Sequence, residues 1–325
     1  MILSNDTIIK PPYEITAQIL KLITSISEKI GGLNALLLDN PSPILRKQNK
    51  IKTIHNSLKI EGNTLSEIQI TALIDNTPVL GPEKDILEVL NAIKVYNALD
   101  DYQAYNESSF LKAHKTLMQG LVEMPGKYRT KGVGIIKGDV VKHLAPPPEN
   151  VPFLMQALFM YLKSDDELPL IKSCIFHYEM EFIHPFLDGN GRMGRLWQTL
   201  ILKKQYPIFT SLPFETLISE TQTEYYQALA ASDKAGKSTP FIAYMLEVIN
   251  ASLAEKLTRA NRTMNQEDRL QYFVAQSPNE FSRKDYMKVF KDLSTASASR
   301  DLKKGLALNL FTKKGDKRLT NYHLR

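Results

Sequence analysis

Apolar residues recur at three- and four-residue spacing along most of this chain, the pattern of helices that bury one face. The runs Tyr13 to Ile30, Ser42 to Leu58, Ser66 to Ile74, Glu83 to Tyr102 and Ser108 to Met118 all carry it. Met124-Pro125-Gly126 interrupts the series, and a different period follows. Residues 134–142 place two short β-branched runs around Gly138-Asp139, which predicts a hairpin closed by that pair. Pro146-Pro147-Pro148 ends it. Helical spacing resumes from Val151 to Lys163, Leu168 to Phe182, about Gly191 to Gln205, Ser219 to Ala231 and Thr239 to about Arg262. Beyond a polar stretch at Asn261 to Gln266 come three short helical patterns, Asp268 to Ala275, Ser282 to Phe290 and Ser294 to Leu306. Two candidate strands, Leu310 to Lys313 and Leu319 to His323, flank Gly315-Asp316. The fold class predicted is mainly α, with one small hairpin inside the body and a helix, helix, helix, hairpin tail resembling a winged-helix domain.

Composition sharpens the picture in two places. The 325 residues are 43% hydrophobic, enough for ordinary cores, yet no stretch of about 20 apolar residues could span a bilayer. The start lacks a charged-then-apolar leader pattern, and the single Cys174 excludes an internal disulfide. A cytoplasmic protein without membrane contact is expected. Charge is placed unevenly. From Ser282 to Arg325 there are 12 Lys and Arg against 4 Asp, a net of +8, whereas the whole chain carries +6 and residues 1–281 therefore −2. The basic character belongs to the tail.

The candidate chemistry is concentrated in His184-Pro-Phe-Leu-Asp-Gly-Asn-Gly-Arg-Met-Gly-Arg195. Gly189 and Gly191 can turn successive amides inward as an anion nest, and a helix starting there adds its positive end. Arg192 and Arg195, three apart, share a helix face and can fork onto phosphate oxygens. His184 titrates near neutrality in its unperturbed state and suits a general base; the plain alternative is a packed loop histidine. Asp188 is a candidate Mg²⁺ ligand, since magnesium takes hard oxygens, usually one or two carboxylates plus phosphate. The alternative for Asp188 is a turn or cap residue. Phe186 should anchor the loop in the core.

This segment resembles the Fic family signature, H-P-F-x-[D/E]-G-N-G-R-x-x-R, at every specified position, and the resemblance extends over roughly residues 40–250. It implies a Fic-type helical bundle and a protein adenylyltransferase: AMP moved from ATP, with Mg²⁺, to a Ser, Thr or Tyr hydroxyl of a target protein. His184 then stands at the catalytic histidine. Asp188 is the metal ligand. Gly189, Asn190 and Gly191 form the phosphate cradle, with Arg192 and Arg195 as its arginines and Arg195 on the γ-phosphate. Tyr225 and Tyr226 lie where the family often places aromatics near adenine, with core packing as the rival. Ile135, Ile136, Lys137, Gly138, Asp139 and Val140 correspond to the flap that docks the target segment, an ordinary surface hairpin being the alternative. Upstream, Ser57-Leu58-Lys59-Ile60-Glu61-Gly62 is similar to the inhibitory pattern [S/T]-x-x-x-E-[G/N], whose bland alternative is a helix end closed by Gly62. By that resemblance Glu61 pairs with Arg195 and displaces the γ-phosphate. Family analogy adds a homodimer, self-modification, and AMP removal as a further activity.

The division expected is residues 1–110 with the inhibitory helix at about 45–62, a catalytic core at 111–262 and the winged-helix-like segment at 263–325. A rival reading makes the chain a DNA-binding regulator, with 294–304 as recognition helix and Lys313, Lys314, Lys317 and Arg318 on a wing. Protein docking or dimer contacts are the alternative use of that tail. Three features carry no site: Ala235-Gly236-Lys237-Ser238 lacks the first glycine and strand of a phosphate loop, Cys174 with His177 reads as core, and His55, His114 and His323 lack metal-ligand spacing.

Overall fold

The computed structural model describes residues 10–36, 43–137, 140–164, 167–261, 265–274, 279–290, 293–315 and 320–324. The chain divides into two compact units, Met1–Thr258 and Arg259–Arg325.

In the first unit the helices are α1 (Ala17–Leu36), α2 (Pro43–Ile60), α3 (Glu67–Ile74), α4 (Glu83–Asn97) and α5 (Glu107–Leu117). A hairpin of β1 (Gly134–Lys137) and β2 (Val140–Leu144) follows, then α6 (Val151–Lys163), α7 (Pro169–Ile183), α8 (Asn190–Gln205), α9 (Glu215–Glu220), α10 (Gln222–Ala235) and α11 (Thr239–Asn261). The centre is the pair α7 and α8. In α7 every residue from Leu170 to Tyr178 is buried, and in α8 every residue from Arg192 to Leu202. Phe110, Phe159, Phe176 and Trp197 pack edge to face around them, with ring centroids 5.0–5.9 Å apart. The buried hydrophobic cluster runs without a break from Ile19 to Leu253. Helices α2, α4 and α8 all contribute to it.

Local signals explain most helix ends. Ser66 and Gln69 form a reciprocal capping box on α3, and Asn106 caps α5. Helix α2 closes in a Schellman motif: Asn63 N donates to Leu58 O at 3.1 Å and Gly62 N to Lys59 O at 3.0 Å. Gly62 takes φ +91°, which side chains resist. Two expectations need correction. The single helix from Ser219 to Ala231 is two helices, because Thr221 leaves helical geometry and turns its hydroxyl onto Leu217 O at 2.7 Å. The helix from Glu83 ends at Asn97, with a 3₁₀ turn at Leu99–Asp101 taking up the rest.

The second unit contains α12 (Gln266–Val274), β3 (Glu280–Ser282), α13 (Arg283–Val289), α14 (Thr295–Ala307), β4 (Phe311–Lys314) and β5 (Asn321–Leu324). The sheet order is β3-β5-β4, antiparallel throughout. Strand β3, three residues long, gave no periodic signal. Leu270, Phe273, Phe281, Tyr286, Ala298, Leu302 and Phe311 form its own core. Asp301 is buried and satisfied, accepting from Arg269 Nε at 2.7 Å, Arg269 Nη2 at 3.0 Å and Tyr286 Oη at 3.0 Å. Lys317 and Arg318 of the expected wing lie outside the described residues.

Candidate active site

Six residues join α7 to α8, and the backbone of that loop is held from several sides. His184 caps α7 in the left-handed region, φ 49° and ψ 59°, uncommon for a residue with a side chain. Its amide still donates to Met180 O at 3.0 Å. Its carbonyl accepts from Arg129 Nε at 2.7 Å. Arg129 is buried and spends its other donors on the carbonyls of Ile183, Lys131 and Pro146, while its own amide donates to Pro185 O at 2.9 Å. One guanidinium thus ties the segments on both sides of the hairpin to the histidine's backbone.

A second brace comes from His114 on α5. Gly126 N donates to His114 Nδ1 at 2.8 Å, so Nε2 carries the proton and donates to Asp188 O at 3.0 Å. The ring stacks on Phe186, centroids 3.5 Å apart and planes 5° off parallel. Burial pushes the His114 pKa down to about 4, which keeps the ring neutral near pH 7. Phe186 is fully buried, as an anchor requires. Its amide and carbonyl both bond the Asn190 side chain, each at 2.9 Å. Asn190 therefore braces the loop rather than offering its side chain to a ligand. Gly189 starts α8 at φ +88°, and a Cβ there would stand 2.8 Å from Met118 Sδ.

The charged groups converge on the first turns of α8. Arg195 is 0% exposed; its Nε donates to Ser57 Oγ at 3.1 Å, and Nη2 to Ser57 O at 2.8 Å and Glu61 Oε1 at 2.7 Å. Burial works against its charge, but Glu61, Tyr225 and Glu181 more than offset that and hold the guanidinium proton more tightly than usual. Arg192, also buried, donates to Glu88 Oε1 at 3.2 Å and to Asp188 Oδ1 at 2.8 Å. Glu88 in turn accepts from Asn63 Nδ2 at 2.8 Å. The end of α2 is thus fastened to α8 twice, through Arg195 directly and through Glu88 to Arg192. Gly191 permits the close approach: a Cβ there would meet Glu61 Oε1 at 2.4 Å. The Glu61 carboxylate lies over the positive end of α8, where an anion is stabilised.

The free donors of the site suit phosphate oxygens. Arg195 Nη1 and Arg192 Nε are buried without a hydrogen-bond partner, donors that phosphate oxygens would satisfy. Asp188 is about half exposed, with its carboxylate beside Arg192. Tyr225 and Tyr226, adjacent on a helix, point in different directions. Tyr225 is 1% exposed, its hydroxyl 3.1 Å from His177 Nε2, so it belongs to the core and corrects the expectation of an adenine contact. Tyr226 is 47% exposed and can meet a ligand. In the hairpin, Ile135 pairs with His143, Ile136 with Val141 and Lys137 with Val140, with a register irregularity between Ile135 and Ile136. Gly138 and Asp139 lie outside the described residues. Arg129, His114 and Glu88 had no signal in the sequence, since their work is to hold backbone or another side chain across long chain separations.

The arrangement is a helical unit whose two most buried helices meet at a braced, cationic loop, and comparisons with known proteins give it a family. The Fic/DOC family model matches residues 104–202. A Fic family protein from Desulfovibrio desulfuricans G20 is 41% identical and superposes with a TM-score of 0.76, over 98% of this chain and 98% of that one. The chain belongs to the Fic family. A Fic-1 fragment from Caenorhabditis elegans shares the fold at 22% identity and a TM-score of 0.62, over 75% of this chain and 73% of that one. Among curated relatives, protein adenylyltransferase fic-1 of Caenorhabditis elegans is 26% identical over 72% of this chain and 46% of its own length. Protein adenylyltransferase Fic of Nematostella vectensis is 28% identical over 67% of this chain and 52% of its own length. The chain spans about half the length of these curated relatives. No helix among the described residues is long and apolar enough to cross a membrane.

Proposed function

We propose that this chain is a protein adenylyltransferase that moves AMP from ATP to a Ser, Thr or Tyr hydroxyl of a protein, and that Glu61 restrains it. The observation that carries the reading is the Glu61 carboxylate, 2.7 Å from Arg195 Nη2 and over the start of α8. The protein's own carboxylate takes the place beside Arg195 that a phosphate would occupy. Curated relatives named protein adenylyltransferase support the transferred group.

In the reaction, His184 takes the proton of the target hydroxyl. The hydroxyl oxygen forms a bond to the α-phosphorus of ATP while the bond to the bridging oxygen breaks, and pyrophosphate leaves. Arg192, Arg195 and the amides at the start of α8 stabilise the phosphate charge, and their prior placement supplies most of the rate. Asp188 would hold Mg²⁺, which when bound neutralises phosphate charge. The hairpin edge would align the target segment by strand addition, and Tyr226 would lie against the base. With Glu61 in place, Arg195 is engaged and the γ-phosphate loses its partner, so ATP settles in an unreactive pose.

The test is label transfer. ATP labelled at the α-phosphate should leave its label on protein, and ATP labelled at the γ-phosphate should not. His184→Ala should cut transfer by about 10²–10⁴-fold, the usual worth of a general base. Transfer of γ-label, or α-label transfer indifferent to His184, would refute the assignment.

A further inference from the structure

The second unit presents a surface that adenylyl transfer does not use. Helix α14 buries Ala298, Asp301, Leu302 and Gly305. Its opposite face carries Ala296, Ser299, Arg300 and Lys303, the stripe that three- and four-residue spacing turns outward. Arg283, at the start of α13, leans onto that face and donates to Ser299 Oγ at 3.0 Å, while Arg300 donates to Ser297 Oγ at 3.1 Å. Lys314 is exposed on β4.

The acids of this unit among the described residues are engaged elsewhere. Glu267 pairs with Lys304 at 2.6 Å, Asp285 with Lys288 at 2.7 Å, and Asp301 with Arg269 inside the core. Glu280 takes Asn321 at 2.7 Å and Asp268 accepts the Asn265 amide at 3.1 Å. Among the described residues no carboxylate pairs with Arg283, Arg300 or Lys303.

We propose that this face of α14 docks duplex DNA. Two helices in sequence, the second with a small, polar and cationic outer face, meet the needs of a major groove: close approach past Ala and Ser, hydroxyls for base edges, and guanidinium forks for phosphate or guanine. A protein partner would call for aromatic or aliphatic anchors at the centre of the patch. Among the described residues the stripe has none; the exposed large apolar residues of this unit are Val289 at the end of α13 and Leu308 just past the end of α14.

The experiment is anisotropy titration of the full chain with a labelled duplex between about 50 and 200 mM salt. Neutralising three or four phosphates predicts a log–log salt slope of about −3 to −4. Arg300→Ala with Lys303→Ala, both at exposed positions, should leave the melting temperature unchanged. The pair should shrink the slope by about 2 and weaken binding about tenfold or more. Three results would overturn the proposal: no salt-dependent binding, binding indifferent to the double variant, or displacement of the duplex by polyglutamate as readily as by unlabelled duplex. The last would mark a docking site for acidic protein.

Discussion

Glu215, the first residue of α9, shows how far one buried group can set the behaviour of this molecule. It is 0% exposed on a helix that packs against α2. Burial pushes its carboxyl up to about 8, more than the nearby Arg195 charge and Thr53 can bring it down. The folded protein therefore keeps a proton that the unfolded chain loses above its ordinary value of 4.5. That contribution to stability is full below the unfolded value and is lost as pH rises through about 8. Buried His177 and His114, pushed down to about 3 and 4, act in the opposite sense: their contribution is present above pH 6.5 and lost on acidification. Between pH 6.5 and 8 those histidines are silent, and Glu215 titrates there alongside Glu179, whose carboxyl burial and the Asp233 charge push up to about 7. Denaturant unfolding across that range should show stability falling with pH. Glu215→Gln should take about 2 kcal/mol out of that fall, leaving the part that Glu179 contributes. An unchanged slope in the variant would mean that another group carries the titration.

The loop between α7 and α8 is positioned more by what grips its backbone than by its own sequence. Arg129 satisfies carbonyls at the end of α7 and beside the hairpin with one rigid fork. Arg129→Lys should keep the charge but lose the fork, costing about 3 kcal/mol of stability. Because it acts through the placement of His184, kcat should fall about tenfold to a hundredfold, with a smaller change in the KM for ATP. Equal loss in both, or loss of KM alone, would place Arg129 in binding instead. The signature loop, the helix spacing and the Ser57 to Gly62 pattern were legible because each is local: period, glycine position and charge spacing sit in adjacent residues. Arg129, His114 and Glu88 were not, because they act across 74 residues for His114 to Asp188 and 104 for Glu88 to Arg192. Asn190 was read as part of the phosphate cradle, yet its amide is consumed within four residues. Tyr225 shows the same limit, as only packing distinguishes an inward from an outward tyrosine. The break at Thr221 depended on a hydroxyl finding Leu217 O, which periodicity does not register.

Across the first unit, the residues of the proposed transfer site and of its proposed restraint sit on elements that share one continuous core. Helix α2 is held independently of Glu61. Asn49 Nδ2 donates to Ser211 O at 2.9 Å, Asn56 Nδ2 to Thr216 Oγ1 at 3.1 Å, and Ile54 and Leu58 are buried. Removing the Glu61 carboxylate should therefore free Arg195 for phosphate without displacing the helix. The side chain of Glu61 is 29% exposed, so the stability lost with it is moderate, about 1–3 kcal/mol. The decisive measurement is the rate of AMP transfer at saturating ATP for Glu61→Gly beside the unaltered chain, with thermal melting run on both. Restraint by Glu61 predicts a rise of about tenfold or more, at least 1.4 kcal/mol off the barrier, in a protein that still melts cooperatively. A cooperatively folded Glu61→Gly protein whose transfer is unchanged or slower would contradict the account.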